Sequence, residues 1–595
     1  MKTVIITQDL TSISSLTGFW GNLYHQLVRL TQQFNLWLVR LFYPKAIVPS
    51  WDDLLSKNNL QKERKLSWQI VNDYIKPNFK RLIFKNTQFI KTWETYLAIY
   101  LSHQILSYHQ AIKRFFQKKP QQIIILGSSH QEQITKLIAR DKNIKIIHWP
   151  CLNFSRLNRL LLDWLYYRQL TTKANHFLKV NTKTLKAKQK SILLAASFFR
   201  HLKTLLPLHN KLIKKNHPSL IIHDSLESPP RHSLQLASIL SLKQRSHLYQ
   251  QQIKKGKTSW QKIKHSFYNH PKTIQELSTN LLKGYLKTLT LKAFPLSCLY
   301  LASSEVLINQ TKPKAIILIS DVRPLEVSLG LMAQKHNIKS LLISPNTILS
   351  PDAINKYSLT DKVIVVGSHL KKELVSLGLN PNKIHQVGDL RFDSITKNKL
   401  SSLKRKTLKK LKLPLNTNLF LLVSFRANPR IPLKEKKAYF QIASKAIASI
   451  PNAKLIIKPH PTESQTDLKN QVKKWRVKKA LITDNRQLKL IDILSACQVT
   501  LLTWSMTGFE SFLSQTPVVV INPTQKNYDN IIPYVKLKGA QLAKSSHQLK
   551  SILVKLISNK KNMDLWVNNG LNFVKQYINP PDGQTAEKII NLISS

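Results

Sequence analysis

The feature that most constrains this 595-residue chain is a repeated alternation of short apolar runs with longer amphipathic stretches. The apolar runs, many of them rich in Val and Ile, predict buried strands, and the stretches between them have helical spacing. In the C-terminal part the strand-like runs are Leu419 to Val423, Ala453 to Ile457, Ala480 to Thr483, Val499 to Leu502 and Val518 to Asn522. Because parallel strands need crossover helices, this alternation predicts an α/β fold with parallel sheets.

The N-terminal half repeats the alternation less regularly, after a first strand predicted within residues 1–9. Its other strand-like runs are Ile123 to Leu126, Ile144 to His148, Leu220 to His223, Ala315 to Ser320, Ser340 to Ser344 and Lys362 to Val366. Residues 158–314 contain only one of these runs and are otherwise rich in Leu, Lys and Gln at helical spacing. We therefore expect an N-terminal lobe enlarged by helical insertions.

A lysine-rich stretch separates the two halves. From Leu400 to Leu413 the sequence has no strand-like run, and the stretch ends at Pro414. We interpret residues 400–415 as an interdomain linker. The predicted organisation is a Rossmann-like N-terminal lobe over residues 1–399 and a Rossmann-like C-terminal lobe over residues 416–595.

The chain is strongly basic, with 92 Lys and Arg residues against 30 Asp and Glu residues and a formal net charge of +62. Three origins stay open: solvation of helix faces by lysine, attraction to an anionic membrane surface or glycan, and binding of nucleic acid. Lysines spread along the whole chain, without an RNA-binding or zinc-finger signature, disfavour nucleic acid as a partner. An apolar stripe from Leu16 to Tyr43 fits either a core helix or a helix lying on a membrane.

Cysteine usage and the N-terminus predict a cytoplasmic protein. The three cysteines, Cys151, Cys298 and Cys497, lie far apart among apolar neighbours, without metal-ligand spacing. We therefore expect a reducing compartment and no structural zinc. The first residues resemble a strand more than a signal peptide, and no window of about 18 uninterrupted apolar residues occurs. A peripheral position at the inner face of the cell membrane is compatible with the charge.

The segment Lys458-Pro459-His460-Pro461 is the first motif that indicates chemistry. It follows a predicted buried strand directly, and open α/β sheets bind ligands at the carboxyl ends of their strands. The prolines on either side of the histidine restrict its backbone. A lysine and an imidazole at this position predict a phosphate-handling site in which His460 is a catalytic candidate.

The segment 505–510, Ser-Met-Thr-Gly-Phe-Glu, follows another predicted strand. Thr507 and Glu510 fit a capping box, which would explain both residues without a ligand. A helix start at the carboxyl end of a strand also offers amides and a positive dipole end to an anion. The two interpretations are compatible. The residues predicted to bind a phosphate here and in the preceding motif are Lys458, Ser505, Thr507 and Gly508, and Glu510 is a further candidate for contacting the same ligand.

Arg426 follows the predicted strand Leu419 to Val423 and is a third candidate for binding phosphate. A guanidinium group can pair with a diphosphate through two hydrogen bonds, although solvation at the surface explains an arginine equally well. Three loops at the carboxyl ends of strands then carry residues suited to an anion. This convergence is stronger evidence for a site than any one loop.

Two aspartates in the N-terminal half are candidates for a catalytic base. Asp224 and Asp321 each follow a predicted strand, and each is followed within a few residues by a proline and a helical stretch. An aspartate at a strand end is typical of ligand clefts, and it also serves as a helix cap or turn former. Both explanations stay open for both residues.

From residue 313 onward, the order of motifs resembles that of GT-B-fold proteins of surface-polysaccharide biosynthesis. Residues 361–393, which end in Gly388-Asp389-Leu390-Arg391-Phe392-Asp393, look like the close of the N-terminal lobe in these proteins. The segment 458–461 is similar to the HP motif of capsule and teichoic-acid polymer transferases, and 505–510 is similar to their later serine/threonine motif. The resemblance implies a GT-B-like fold of two Rossmann-like lobes that face a cleft.

The resemblance also implies a function. A nucleotide-activated sugar or glycerol phosphate would be held by the C-terminal lobe, and a glycan or lipid-linked acceptor by the N-terminal lobe, in a metal-independent glycosyltransferase reaction. Many relatives carry a His-Gly pair where this chain has Pro345-Asn346-Thr347, so the base is not assigned. The alternatives are a nucleotide-sugar 2-epimerase-like enzyme and a basic GT-B-fold binding protein without catalytic activity.

Overall fold

A computed structural model provides the structure of the chain. It describes residues 3–7, 65–80, 82–84, 87–88, 122–126, 129–139, 144–148, 155–182, 189–197, 199–224, 233–268, 271–348, 359–393, 397–425, 433–460, 463–483, 488–524 and 532–594, together with isolated positions between these ranges. The predicted helix from Leu16 to Tyr43 and the candidate Arg426 lie outside the described residues.

The described strands up to residue 386 form three sheets. β1, β4 and β5 make a small parallel sheet in the order β1-β4-β5, and β2 pairs with β3 in an antiparallel hairpin. The seven other strands form a sheet in the order β8-β7-β6-β9-β10-β11-β12, which is parallel from β8 to β10. The strands are β1 (Thr3–Thr7), β2 (Ile83–Phe84), β3 (Thr87–Gln88), β4 (Gln122–Leu126), β5 (Lys145–His148), β6 (Ile192–Ala196), β7 (Ser219–His223), β8 (Ser233–Gln235), β9 (Ala315–Leu318), β10 (Lys339–Ile343), β11 (Lys362–Val365) and β12 (Ile384–Gln386).

The helical enrichment predicted for the N-terminal half is confirmed. A continuous helical run over Lys283–Thr311 is long and apolar enough to span a membrane, but 78% of its apolar window is buried inside the protein, as in a core helix. The α-helices of this half are α1 (Ser129–Ala139), α2 (Ser155–Lys179), α3 (Phe199–Lys214), α4 (Leu242–Ile263), α5 (Ile274–Leu281), α6 (Lys283–Thr288), α7 (Phe294–Thr311) and α8 (Pro324–Lys335). Shorter 3-10 or π turns cover Ile70–Ile75, Lys76–Phe79, Leu236–Ile239, Lys264–Ser266 and Leu289–Ala293.

The remaining strands form one parallel sheet of six, in the order β15-β14-β13-β16-β17-β18. Counted from its own first strand this is the order 3-2-1-4-5-6 of doubly wound nucleotide-binding folds. Alternate residues of the central strand enter two separate cores: Leu419 and Leu421 belong to one, Phe420 and Leu422 to the other. Helices therefore cover both faces of the sheet. The strands are β13 (Asn418–Val423), β14 (Ala453–Lys458), β15 (Ala480–Ile482), β16 (Val499–Leu502), β17 (Val518–Ile521) and β18 (Gln541–Ala543).

The chain separates into two compact units. The first unit contains residues 1–345 and 351–363, and the second contains residues 346–350 and 364–595. The segment 400–415, predicted as a linker, includes most of a helix over Lys397–Lys410, whose Leu408 packs into a core of the second unit. The later helices are α9 (Ser368–Ser376), α10 (Lys397–Lys410), α11 (Leu433–Ala448), α12 (Gln465–Lys474), α13 (Leu490–Ala496), α14 (Thr507–Leu513), α15 (Ser546–Ser558), α16 (Lys560–Lys575) and α17 (Thr585–Ser594), with a 3-10 turn at Pro381–Lys383.

The prediction of an α/β protein with two Rossmann-like parallel sheets, the GT-B-like class, is confirmed. One strand interpretation was wrong: residues 158–314 contain β6, β7 and β8, where one strand was expected. The missed β6 lies between β9 and β7 in the interior of the seven-stranded sheet and is buried along its whole length.

Candidate functional site

The strand order of the second unit creates a switch point between β13 and β16. On one side of β13 the chain continues to β14, and on the other side it returns at β16, so the loops after these strands part in opposite directions. Doubly wound sheets bind ligands in the crevice at such a point. In the ladders Val423 lies beside Lys458, and Leu422 lies beside Leu501. The ends of β14 and β16 are thus separated by two strand spacings, about 10 Å.

Lys458 and His460 lie at this edge, as the sequence predicted. Lys458 is the last residue of β14 and is half-buried, whereas His460 is exposed. The main chain here is tied to its neighbours, since Ser424 N donates to Lys458 O at 2.9 Å and Glu463 N donates to His460 O at 2.9 Å. The His460 imidazole is thus exposed to solvent on a main chain that hydrogen bonds hold in place.

The segment 505–510 begins the short helix α14, but not as a capping box. The cap position is Met506, which makes no side-chain cap, and Thr507 is the first helical residue. The Ser505 hydroxyl, rather than that of Thr507, binds a main-chain amide at the start of the helix. It accepts a hydrogen bond from Thr507 N at 3.2 Å and donates to Thr507 Oγ1 at 3.2 Å. The predicted return bond from Glu510 is therefore not needed to start this helix.

Tyr534 holds the Ser505 loop through a hydrogen bond to its main chain. Its hydroxyl donates to Ser505 O at 2.8 Å, and its ring is buried. A Cβ atom at Gly508 would lie 2.4 Å from that hydroxyl oxygen and 2.5 Å from Cζ of the same ring. Glycine at 508 thus follows from close packing against Tyr534, and phosphate binding is not needed to explain it.

Glu510 interacts electrostatically with Arg391 in the turn at 388–393. Burial alone would lower the pKa of the Arg391 guanidinium, but the carboxylates of Asp389 and Glu510 outweigh burial and raise that pKa. Asp389 also accepts from Arg391 Nε at 2.9 Å. The lobe-closing segment and the serine/threonine motif, which the sequence could only place in order, are electrostatic neighbours.

Aromatic side chains line the switch point. The rings of Phe425 and Trp504, which follow β13 and β16, have centroids 6.0 Å apart. The buried Tyr439 hydroxyl lies 3.0 Å from Val423 O and 2.9 Å from Leu501 O, and so joins the two strands where they part. The buried Ser424 hydroxyl has no hydrogen-bond partner among the described residues. These groups were not identified from the sequence.

The first unit has an equivalent switch point between β6 and β9, and the two candidate aspartates flank it. Asp224 directly follows β7 on one side, and Asp321 follows β9 on the other. Asp321 does not cap the next helix, because α8 has Arg323 at its cap position and begins at Pro324. Its predicted capping role is therefore excluded.

Asp224 belongs to a cluster of ionisable groups. Burial raises the pKa of its carboxyl group, and a hydrogen bond from Tyr300 and the charge of Lys173 act in the opposite direction. Burial also lowers the pKa of Lys173, which Asp224 and Glu326 oppose. Main-chain O of Asp224 accepts from Gln235 Nε2 at 2.6 Å. Shifted pKa values of this kind occur at functional sites and also in structural networks of charges.

Glu326 is a second buried carboxylate of this cluster, missed by the sequence analysis. It is fully buried in helix α8. One oxygen accepts from the Ser197 hydroxyl, and the other lies 3.2 Å from both Ser197 N and Nδ1 of His201. These partners are more than a hundred positions away in sequence, so local spacing gave no signal. The described residues contain no group of three or more His, Cys, Asp or Glu side chains that could hold a metal ion.

Neither a protein-family model nor a curated protein sequence matches the chain. Several solved structures are similar in fold. A putative UDP-N-acetylglucosamine 2-epimerase from Listeria monocytogenes is 14% identical, with 68% of this chain and 96% of that chain covered and a TM-score of 0.44. The UDP-GlcNAc 2-epimerase from Methanocaldococcus jannaschii is 16% identical, with 68% and 99% covered and a TM-score of 0.41. The wall teichoic acid polymerase TagF is 10% identical, with 73% and 96% covered and a TM-score of 0.44. At these identities and scores, the similarities carry no inference about activity.

Proposed function

We propose that this protein is a glycosyltransferase-like enzyme that uses a nucleotide-activated donor. The donor, a nucleotide sugar or a nucleotide-activated glycerol phosphate, binds at the switch point of the second unit, and a glycan or lipid-linked acceptor receives the transferred group. Lys458 and His460 stabilise the negative charge that develops on the leaving phosphate, which is how preorganised electrostatics lower a barrier. The reaction uses no metal and no cofactor.

One observation carries this proposal. Lys458 at the end of β14 and His460 just beyond it, and Ser505 and Thr507 after β16, lie at the same edge on either side of β13. Cationic, imidazole and hydroxyl groups at this position suit a diphosphate. The Ser424 hydroxyl between them is buried without a partner among the described residues, and a ligand would satisfy it.

For the base that deprotonates the acceptor hydroxyl, Asp224 is supported better than Asp321. Burial raises the pKa of Asp224, and a raised pKa brings a carboxylate closer to the range in which it can accept and release a proton. A hydrogen bond with Tyr300 and the positive charge of Lys173 both favour the ionised form of this carboxyl group.

Binding of nucleotides to the full chain tests the donor site. UDP, CDP, CMP and GDP are each added to the protein, and the melting temperature is followed. A nucleotide at 100 times its Kd stabilises the folded state by about 2.7 kcal/mol. His460→Ala should abolish turnover of the bound donor and weaken this stabilisation, while the melting temperature without ligand stays unchanged because the side chain is exposed.

His547→Ala is the matched control, since His547 is an exposed histidine on α15 of the same unit. It should leave both melting temperatures unchanged. A chain that no nucleotide stabilises, or equal stabilisation of wild type and His460→Ala, would refute the proposed donor site.

Analysis of what happens to the bound nucleotide sugar separates the alternatives. An epimerase-like enzyme would convert a nucleotide sugar into its epimer without any acceptor, which product analysis by NMR detects. A binding protein without activity would be stabilised by a nucleotide sugar and leave it unchanged. Transfer that requires an acceptor supports the transferase.

A further inference from the structure

Lys436, in the first turns of α11, is a buried cation that the proposed function has not used. Its side chain is 1% exposed, although lysine is among the residues least often buried. Its Nζ contacts Glu463 Oε1 and lies 2.9 Å from Gln471 Oε1. The rings of Phe440 and Trp475 are 5.5 Å and 5.9 Å from the same nitrogen. A charge is thus held in a largely aromatic environment.

Its partner Glu463 binds the main chain of His460 on both sides. Glu463 Oε2 accepts from His460 N at 3.2 Å, and Glu463 N donates to His460 O at 2.9 Å. The Glu463 side chain is itself 6% exposed. One carboxylate therefore joins a buried lysine, through one oxygen, to the amide of the candidate catalytic histidine, through the other.

The charge of Lys436 is what keeps this carboxylate in place. Burial lowers the pKa of Lys436, and Glu463 opposes that shift by charge and hydrogen bonding. Without the lysine, Glu463 would be a buried, uncompensated anion, which must take up a proton or turn toward water. Either response weakens the acceptor for His460 N.

Packing alone does not explain the pair. A buried ion pair can often be replaced by apolar residues of similar volume with no loss of stability. Phe440 and Trp475 would accept a methionine at 436 as readily as they accept the lysine stem. What apolar residues cannot supply is an acceptor for the His460 amide.

We propose that Lys436 and Glu463 are positioning residues for His460. They hold the loop after β14 so that the imidazole meets the anionic group of the ligand in a fixed orientation. This inference rests on the proposed function, because His460 is taken as the residue that meets the donor phosphate.

The double variant Lys436→Met/Glu463→Met in the full chain tests it. Removing both charges should leave the melting temperature within a few degrees of wild type. The affinity for the nucleoside diphosphate, whichever of UDP, CDP and GDP stabilises wild type most, should fall about tenfold or more, because small misplacements of a catalytic group are costly. Adding His460→Ala should cause little further loss, because all three changes act through one imidazole.

The control is Lys335→Met/Glu305→Met, which removes a 2.7 Å ion pair in the first unit. It should leave the affinity unchanged. If the double variant at 436 and 463 binds as tightly as wild type while His460→Ala does not, the positioning role is refuted and the donor site stands.

A second measurement does not depend on any ligand. Pro459 and Pro461 have no amide hydrogen, so His460 provides the single exchangeable amide of the segment 459–461. Hydrogen exchange of that amide should accelerate in the double variant and stay unchanged in the control. If no nucleotide stabilises wild type, the proposed function fails. If the His460 amide exchanges equally fast in wild type and in the double variant, the positioning of His460 by Lys436 and Glu463 is refuted.

Glu463→Gln provides a second variant should the double variant not fold. Glu463 Oε1 faces Lys436 Nζ and Oε2 faces His460 N, so a glutamine that keeps its oxygen on the lysine presents its NH2 group, a donor, to His460 N. Exchange of the His460 amide should again accelerate, and unchanged exchange would contradict the inference.

Discussion

Gly508→Ala should destabilise the second unit, although alanine has a higher helix propensity than glycine. In an open helix the change would stabilise by up to about 1 kcal/mol. Here the new Cβ would lie 2.4 Å from the Tyr534 hydroxyl oxygen and 2.5 Å from Cζ, so the buried ring must move. Overpacking costs about 1–3 kcal/mol, and losing the bond from Tyr534 to Ser505 O costs about 0.5–1.5 kcal/mol.

The expected net loss is about 2 kcal/mol, after the opposing helix propensity is subtracted. Urea unfolding followed by hydrogen exchange of peptides from the second unit measures this loss without assuming that both units unfold together. A cycle with Tyr534→Leu locates the cause, since Gly508→Ala should cost much less once the ring is gone. If Gly508→Ala instead increases the free energy of unfolding in the wild-type background, the packing argument is refuted, because that is the change expected for an open helix.

Two other predictions concern charge. Because burial raises the pKa of Asp224, the folded chain holds more protons than the unfolded chain above about pH 4, so the free energy of unfolding falls as pH rises through the folded pKa. Asp224→Asn should flatten this part of the stability profile, measured by urea midpoints between about pH 4 and 8, and parallel profiles for the two proteins would contradict the assignment. The exposed cations of α10 should bind anionic vesicles in a salt-sensitive way, at about 1 kcal/mol for each Lys or Arg near the surface. Flotation should be weaker for Lys404→Glu/Lys406→Glu/Lys410→Glu than for the control Lys469→Glu/Lys473→Glu/Lys474→Glu on α12, and equal flotation would exclude α10 as the binding surface.

Strand prediction succeeded where apolar runs were long, β-branched and bounded by polar residues. β14 and β16 were located to within one residue for this reason. β6 was missed because Ile192–Ala196 contains only one β-branched residue and lies among leucine-rich helical sequence. The lysine-rich stretch around α10 was interpreted as a linker because lysines hide the few apolar residues, such as Leu408, that bury one face of the helix.

Only those residues of the candidate site that lie at or just after the carboxyl ends of strands could be predicted from the sequence. Lys458 ends one strand and Ser505 comes within three residues of the end of another, so the sequence could place them at one edge of a sheet. The local start of α14 was interpreted wrongly, because Ser505 and Thr507 fit competing capping geometries and only the backbone distinguishes them. Glu326 and Lys436 were not found, since each depends on partners brought together by the fold rather than by spacing.

The order of the six-stranded sheet has a consequence for how the second unit folds. β13, β14 and β15 are consecutive in the chain and adjacent in the sheet, whereas β16 joins the other side of β13 only after a longer loop has closed. The two walls of the switch point therefore differ in the length of chain that must close before each pairs with β13, and a chain in which β16 is unpaired lacks one wall of the site. A bound nucleotide would then slow unfolding of the finished unit and leave the rate of its early folding steps unchanged.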